Sequence, residues 1–590
     1  MKQVELNKKH NSNYLNIFSI NEKYFLVIGA IISILWLTLL TKYNFGKGID
    51  FSDTTLTYHF SLRILRGDVP FRDFHSMVMP LAFYVEAFFH KIFGLNFIVN
   101  SYLALITIFF QTIFIFLIIK KFFKENIYAL LSAFFVIGFL GNIHQAIHFS
   151  FTHLATAFSL ASIYFGLSSF ENKKYIILFG FFSGLTFLTK QNFGIAIFLG
   201  FIFYLILNLI FFKYEIKKAT RQLLQYLLGI SVVIVPFFTY FYLIGSSSEL
   251  IYILTSGPER KGLASLFDLQ TLNSLISILE PKVIIPSIIF ALWTIYTYIF
   301  KKRNLLLYTF IGLGLFGVAS IYLQGKFMTV NNLLTYDSPK ILMPCIVLYF
   351  CIFKKNIDKK FFFYLIIASS LIFLNELSWP GRGPDFKHLT GIFIFIMPSL
   401  LFNGSLGEEK NYTYRLVKLV MLISNVILGI FAFIIPKENL YRDFNSNATI
   451  NLNPFLNNRK VSPEHKSLIL SANKITKDNC AKQSVFIFPW APILYDFTGS
   501  RNVTRFDLPY HDWLTEKEAD EAIDDLRVSP PCMMIIDKSA ISLEGRYSPF
   551  KAIPMRKIEQ FLKEELLKQY TLIDSKKSFQ DEKLFFLKNQ

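Results

Sequence analysis

Long apolar runs, recurring along the first 436 residues, constrain this chain more than any other feature. A bilayer core of about 30 Å is crossed by roughly 17 to 25 helical residues. Tyr24–Leu40, Phe97–Ile119, Phe151–Phe170, Phe193–Phe212, Leu223–Ile244, Val283–Phe300, Asn304–Leu323 and Leu419–Ile435 reach that length. Shorter runs at Ile127–Leu140, Tyr175–Thr189, Ile341–Phe353, Phe361–Leu374 and Thr390–Phe402 cross only where flanking polar residues face protein or a wet cavity. Together they predict an all-α polytopic membrane domain of about thirteen helices over residues 24–436. With 53% hydrophobic and only 17% charged residues, a string of ordinary soluble domains is excluded.

The formal net charge of +19 is explained by where the lysines fall. If residues 1–23 are cytoplasmic, the predicted inner loops hold Lys120, Lys121 and Lys124; Lys173 and Lys174; Lys213, Lys217, Lys218 and Arg221; Lys301, Lys302 and Arg303; Lys354, Lys355, Lys359 and Lys360; and Lys410, Arg415 and Lys418. That is the positive-inside pattern. An odd number of spans then places residues 437–590 on the extracytoplasmic side. No small-residue cleavage site follows the first apolar run, which is read as a retained span. No basic-aromatic patch points to nucleic acid as a partner; the partners expected from the apolar surface are membrane lipids.

The tail changes character. Ser484–Phe488 and Met533–Ile536 read as short buried strands, and Glu516–Leu526 and Arg556–Leu567 as surface helices, which predicts a small α/β domain. Of four cysteines, Cys345 and Cys351 lie in an apolar segment, while Cys480 and Cys532 in the tail can pair in an oxidising compartment.

The first outer loop, residues 41–96, is half apolar but interrupted by charges. Leu56, Phe60, Ile64 and Leu65 recur at helical intervals after Asp53, and Leu81, Tyr84, Val85 and Phe88 do so after Pro80, which predicts two amphipathic helices at the membrane interface.

The order Asp53, helix, Gly67-Asp68-Val69-Pro70-Phe71-Arg72-Asp73-Phe74, Pro80, aromatic helix and Phe93-Gly94 resembles the first outer loop of GT-C glycosyltransferases. The likeness is greatest to bacterial members of the protein-mannosyltransferase-like family 39. Leu188-Thr189-Lys190-Gln191-Asn192-Phe193-Gly194 resembles a second stretch common in them, and Phe488-Pro489-Trp490 with Tyr495 and Arg501 resembles their extracytoplasmic domain. The resemblance implies transfer of a sugar from a polyprenyl-phosphate donor to a lipid, glycan or protein acceptor on the outer face of a bacterial inner or cytoplasmic membrane. It also implies a catalytic acid in the first loop, for which Asp53 is the matching position. Members often carry an adjacent Asp-Glu pair there; this chain has Asp53-Thr54 and a second acid at Asp50.

Such a transfer needs a carboxylate to accept the hydroxyl proton or hold a divalent cation such as Mg or Mn, and cations to neutralise the departing phosphate. Asp53 meets the first need, although Asp also favours the helix N-cap it would occupy. For the second, Tyr175–Thr189 is 15 residues, about 22 Å of helix, so a helix rising from the inner surface delivers Lys190 and Gln191 near the headgroup boundary. There Lys190 either meets an anion or snorkels to the interface. Arg72, Arg260 and Arg382, each beside turn residues, are further phosphate candidates. Asp73 and His75 beside Arg72, and His144, His148 and His153, are substrate or metal candidates, with His144 and His148 on one helical face if that stretch is helical. Two other readings stay open: a transporter or flippase of lipid-linked sugars, and an inactive scaffold whose tail binds a partner.

Overall fold

The structure, a computed structural model, describes residues 48–49, 53–123, 126–136, 148–256, 343–344, 347, 351, 358–378, 389, 392, 448–452, 454–481, 483–489, 491–510, 513–537, 553–577 and 583–589. The runs expected at Tyr24–Leu40, Val283–Phe300, Asn304–Leu323 and Leu419–Ile435, and most of Ile341–Phe353 and Thr390–Phe402, lie outside the described residues.

Two helices, α1 (Asp53–Leu65) and α2 (Leu81–Phe93), precede a bundle of α3 (Phe97–Lys120), α4 (Asn126–Phe135), α5 (Phe151–Ser168), α6 (Tyr175–Thr189), α7 (Gln191–Phe211), α8 (Ile216–Leu243) and α10 (Lys359–Ser378), with the short α9 (Ser247–Thr255) following α8. Among the described residues, α3, α7 and α8 are long and apolar enough to cross a membrane by length and composition, and α6 is a shorter apolar helix. The α8 helix starts seven residues before the expected Leu223, because Lys217, Lys218 and Arg221 propagate a helix well even where they end the apolar run.

The ends of these helices sort into two groups. At one end Lys121 Nζ and Lys360 Nζ lie 2.7 and 2.8 Å from the two carboxylate oxygens of Glu171, and Phe212 packs edge-on to Phe362 with ring centroids 5.3 Å apart. The basic stretches at 120–121, 173–174, 213–218 and 359–360 therefore share one end. At the other end Phe97 N donates to Phe455 O (2.9 Å), Phe151 N to Thr57 Oγ1 (3.4 Å) and Gln191 Nε2 to Met77 O (2.7 Å). The first loop and the tail thus cover the same end, opposite the lysines.

Small residues bring α6 and α8 together. A Cβ on Gly180 would lie 2.0 Å from the Tyr226 carbonyl oxygen, and one on Gly229 would lie 2.0 Å from the Ile177 carbonyl oxygen. Backbones in lipid approach this closely only across glycine, because dispersion rather than hydrophobic exclusion drives the contact. Beside it Tyr226, Phe179 and Phe201 pack edge-on or tilted, with centroids 4.6 to 5.1 Å apart. The opposite face of α8, including Leu224, Leu228, Val232 and Val235, is exposed, as a lipid-facing surface would be.

The tail is a layered α/β unit. A β-hairpin, β1 (Ala448–Leu452) with β2 (Leu456–Val461), leads into α11 (Pro463–Cys480). A four-stranded sheet follows in the order β3-β4-β6-β5, formed by β3 (Val485–Phe488), β4 (Met533–Asp537), β5 (Tyr570–Lys577) and β6 (Lys583–Asn589). The pair β3/β4 is parallel and the others antiparallel. Strand side chains alternate between faces. Val485, Ile487, Met533 and Ile535 pack with α11 and the short α12 (Ile493–Thr498), while Phe486, Phe488, Met534 and Ile536 pack with α13 (Glu516–Val528) and α14 (Ile553–Phe561). Burial on both faces explains why β3 and β4 read as continuous apolar runs. A disulfide joins Cys480 to Cys532, 52 residues apart. The helix expected over Arg556–Leu567 begins at Ile553 and becomes a π-turn at Leu562–Leu566.

The first-loop helices depart from the sequence expectation in orientation. The stripe Leu81, Tyr84, Val85 and Phe88 is the more open side of α2, with Phe88 60% exposed, whereas Glu86 and His90 on the other side are buried. On α1 every residue from Thr54 to Leu62 is buried. Its polar face is covered by the tail rather than by water.

Candidate functional site

The corner between α6 and α7 is a single extended residue. Lys190 (φ −149°, ψ 101°) ends one helix and caps the next. The turn is this tight because Gly194 lets α7 pass Phe187, whose Cβ would lie 2.4 Å from any Cβ at that position. The ammonium donates to Thr152 Oγ1 (3.2 Å) and sits 4.3 Å from the Phe193 ring centroid and 5.8 Å from that of Phe151. Thr152 is in the first turn of α5, whose Ser150 cap accepts from His153 N. Thr57, in the second turn of α1, accepts from Phe151 N. The amino ends of α5 and α7, which carry partial positive charge, and one lysine therefore meet in the same place. That is the electrostatics of an anion site. Gln191 anchors the corner to the first loop through its bond to Met77 O.

The other sequence candidates separate. Asp53 begins α1, and its side chain lies outside the described residues, as do Asp50, His144, Arg260 and Arg382. Arg72 grips its neighbour Asp73 (2.9 and 2.8 Å) and reaches the Ile244 carbonyl at 3.3 Å. Asp73 also accepts from Val69 N, and Arg72, opposed by slight burial, holds the Asp73 carboxyl below its ordinary range. This pair builds a turn. His75 is buried elsewhere, with Nε2 donating to Trp513 O (2.9 Å) and Nδ1 3.5 Å from Glu518, so the expected Arg72, Asp73 and His75 cluster is split between loop and tail. His148 meets Arg459 Nη2 at 3.3 Å, and the His153 carbonyl accepts from Gln111. Among the described residues no three His, Cys, Asp or Glu side chains are placed to hold a metal ion.

The largest polar feature of this end was not singled out from sequence. His59 Nδ1 lies 2.6 Å from Asp496 and Nε2 2.9 Å from Asp507. Arg63 bonds Asp507 (2.5 Å), Asp68 (2.8 Å) and the Asp73 carbonyl, and Arg66 bonds Asp496 (2.7 Å). Burial alone would push the His59 imidazole down, but Asp496 and Asp507 overcome it and raise its pKa to about 9. Burial would likewise raise the Asp507 carboxyl, and Arg63 and His59 instead hold it well below the usual range. The signal was present as His59, Arg63 and Arg66 at i, i+4 and i+7, the first two on one face of α1 and the third just past its end. A second grip joins Arg505 to Glu249 on α9 (3.1 Å), to Glu521 (2.7 Å) and to the Phe71 carbonyl (2.8 Å). Behind α1, buried Glu86 accepts from Asn100 (2.7 Å) and lies 3.6 Å from His90.

Compared with known proteins, residues 75–240 match a family model described as dolichyl-phosphate-mannose-protein mannosyltransferase. The match includes His75 and Lys190 and begins after α1, and over those residues it bears out the resemblance to GT-C glycosyltransferases. Two crystal structures of ArnT from Cupriavidus metallidurans, one bound to undecaprenyl phosphate and one in the apo state, are similar to this chain. Each is 11% identical, aligned over 96% of this chain and 98% of its own, with TM-scores of 0.42 and 0.43. No curated protein sequence matches.

Proposed function

We propose that the chain is a membrane glycosyltransferase that takes a sugar from a polyprenyl-phosphate donor, with the donor phosphate at Lys190. The observation that carries this reading is the Lys190 corner. A cation and two helix amino ends converge under the first loop, inside the segment that matches the mannosyltransferase model. In the reaction an acceptor hydroxyl oxygen bonds to the anomeric carbon as the carbon–oxygen bond to phosphate breaks. The hydroxyl proton passes to a carboxylate, for which Asp53 is the proposed base and Asp50 the alternative. The phosphate leaves with the polyprenol, and its growing negative charge is met by Lys190 and the helix ends, which are already oriented before the reaction begins.

Lys190→Met removes the charge and keeps most of the volume. Losing one charge-assisted hydrogen bond costs about 1.5–3 kcal/mol, so affinity of the purified protein for undecaprenyl phosphate should fall roughly 10- to 150-fold. Unchanged affinity would return Lys190 to an interfacial role without a ligand. The activity itself is tested by comparing envelope glycans and lipid-linked sugars in a deletion strain with the parent. Loss of a sugar from the glycans with accumulation of its lipid-linked form supports the proposal, and identical profiles refute it.

The extracytoplasmic placement of the tail rests on the lysine-rich opposite end of the bundle and on the Cys480–Cys532 bond, which persists in oxidising compartments. Ser529 is exposed just past α13. Ser529→Cys should react with a membrane-impermeant maleimide in intact cells. Labelling that appears only after lysis would put the tail on the other side.

A further inference from the structure

His59 is held by carboxylates on both ring nitrogens, and a carboxylate can only accept. Both nitrogens therefore donate, and the ring is an imidazolium. With Arg63 on the same face of α1 and Arg66 just past its end it makes three cations, and they meet three carboxylates, Asp496, Asp507 and Asp68. Asn502 completes Asp507 at 3.1 Å. His59, Asp496 and Asp507 are buried, and removing one of them leaves an uncompensated buried charge, so this part of the set is geometrically exacting. Leu56 and Phe60 flank these cations and pack with Phe74, Phe83 and Phe151, with Arg63 lying over the Phe74 ring at 5.1 Å, while Thr57 points to the side away from His59. Thus α1 is clamped between the tail and the start of α5, with Thr57 bonded to Phe151 beside the Lys190 corner. Asp53 lies six residues before His59 on the same helix, about 9 Å along its axis.

We propose that Asp496 and Asp507 of the tail are positioning residues, which set α1 through His59, Arg63 and Arg66 and thereby fix its amino end against the Lys190 corner. The tail is then part of the transferase unit and not a separate binding module. This inference rests on the proposed transfer reaction. A shift of about 1 Å in a reacting group can cost on the order of 100-fold in rate.

The test uses full-length protein carrying Asp507→Asn, Asp496→Asn or both. The expected result is kcat lowered roughly 10- to 100-fold, with affinity for undecaprenyl phosphate unchanged and faster hydrogen exchange confined to α1. In an Asp53→Asn background, Asp507→Asn should cost almost nothing more, because groups acting as one unit are not additive. Arg66→Gln, which touches a half-exposed partner of Asp496 only, should act in the same direction to a smaller extent and serves if the aspartate variants do not fold. Wild-type kcat in a folded variant overturns the proposal, and so does a parallel fall of kcat and donor affinity or full additivity with Asp53→Asn. If the wild-type protein transfers no sugar from any polyprenyl-phosphate donor, the reaction assignment fails. The exchange measurement then still decides whether the tail sets α1: unchanged exchange refutes it.

Discussion

Replacing Asp53 by Asn should give a folded protein that transfers sugar at least ~100-fold more slowly, the usual scale for losing a general base. The substitution separates two roles. Helix α1 begins at Asp53, which makes Asp53 its first residue rather than the N-cap expected from sequence; Asn there gives up about 0.3–1 kcal/mol of charge–dipole stabilisation, so a purely structural role leaves activity intact. A base must take a proton, which the amide cannot do. Asp50→Asn should have a smaller effect. Transfer by Asp53→Asn at the wild-type rate would move the assignment to Asp50. Asp73 is a poorer successor than its place in the loop suggests, since Arg72 and the Val69 amide already occupy its carboxylate.

The second large effect is expected from Gly229→Ile. Its Cβ would fall 2.0 Å from the Ile177 carbonyl oxygen, and a helix backbone cannot step aside as a side chain can. Overpacking costs about 1–3 kcal/mol, and a contact with backbone belongs at or above the upper end of that range. The separation of α6 from α8 would also move Lys190, which closes α6. Thermal unfolding in detergent should therefore show a clear loss of stability, together with weaker binding of undecaprenyl phosphate. Leu228→Ile, on the exposed side of the same helix, is the control and should change neither. A Gly229→Ile protein as stable as wild type would mean that the two helices do not cross at these glycines.

Local patterns carried much of this architecture. The bounds of α6, the strands β3 and β4 of the tail and α13 agree with what apolar period and composition predict, and Cys480 and Cys532, whose pairing the sequence left open, are bonded. The bundle-end lysines follow from charge alternation. What failed was any statement about which face of an element is covered. Periodicity divides α2 into an apolar and a polar side, but it does not say that lipid meets the first and protein the second. Glu86 and His90 lie inside because Asn100 donates to the Glu86 carboxylate and the Gly94 carbonyl accepts from His90 Nδ1 there. Likewise His59, Arg63 and Arg66 look like a solvated face until Asp496 and Asp507 are seen against them. Nothing near those two aspartates in sequence marks them as the complement of a helix in the first loop. The Lys190 corner was legible because it depends on neighbours only: a short apolar helix, a lysine, and a glycine four residues later.

The distance in sequence between the two halves of the clamp bears on how the protein is made. His59 and Asp496 are 437 residues apart. At 5–20 residues per second, the ribosome needs roughly 20 to 90 s to pass from one to the other. Throughout that interval α1 and the Arg66 that follows it display three cations with no tail to cover them. The final arrangement of the first loop is therefore among the last events in biogenesis, although its residues are among the first synthesised. A chain that stops before residue 496 should leave α1 more open to proteases than the full-length protein does, which limited proteolysis of the two would show.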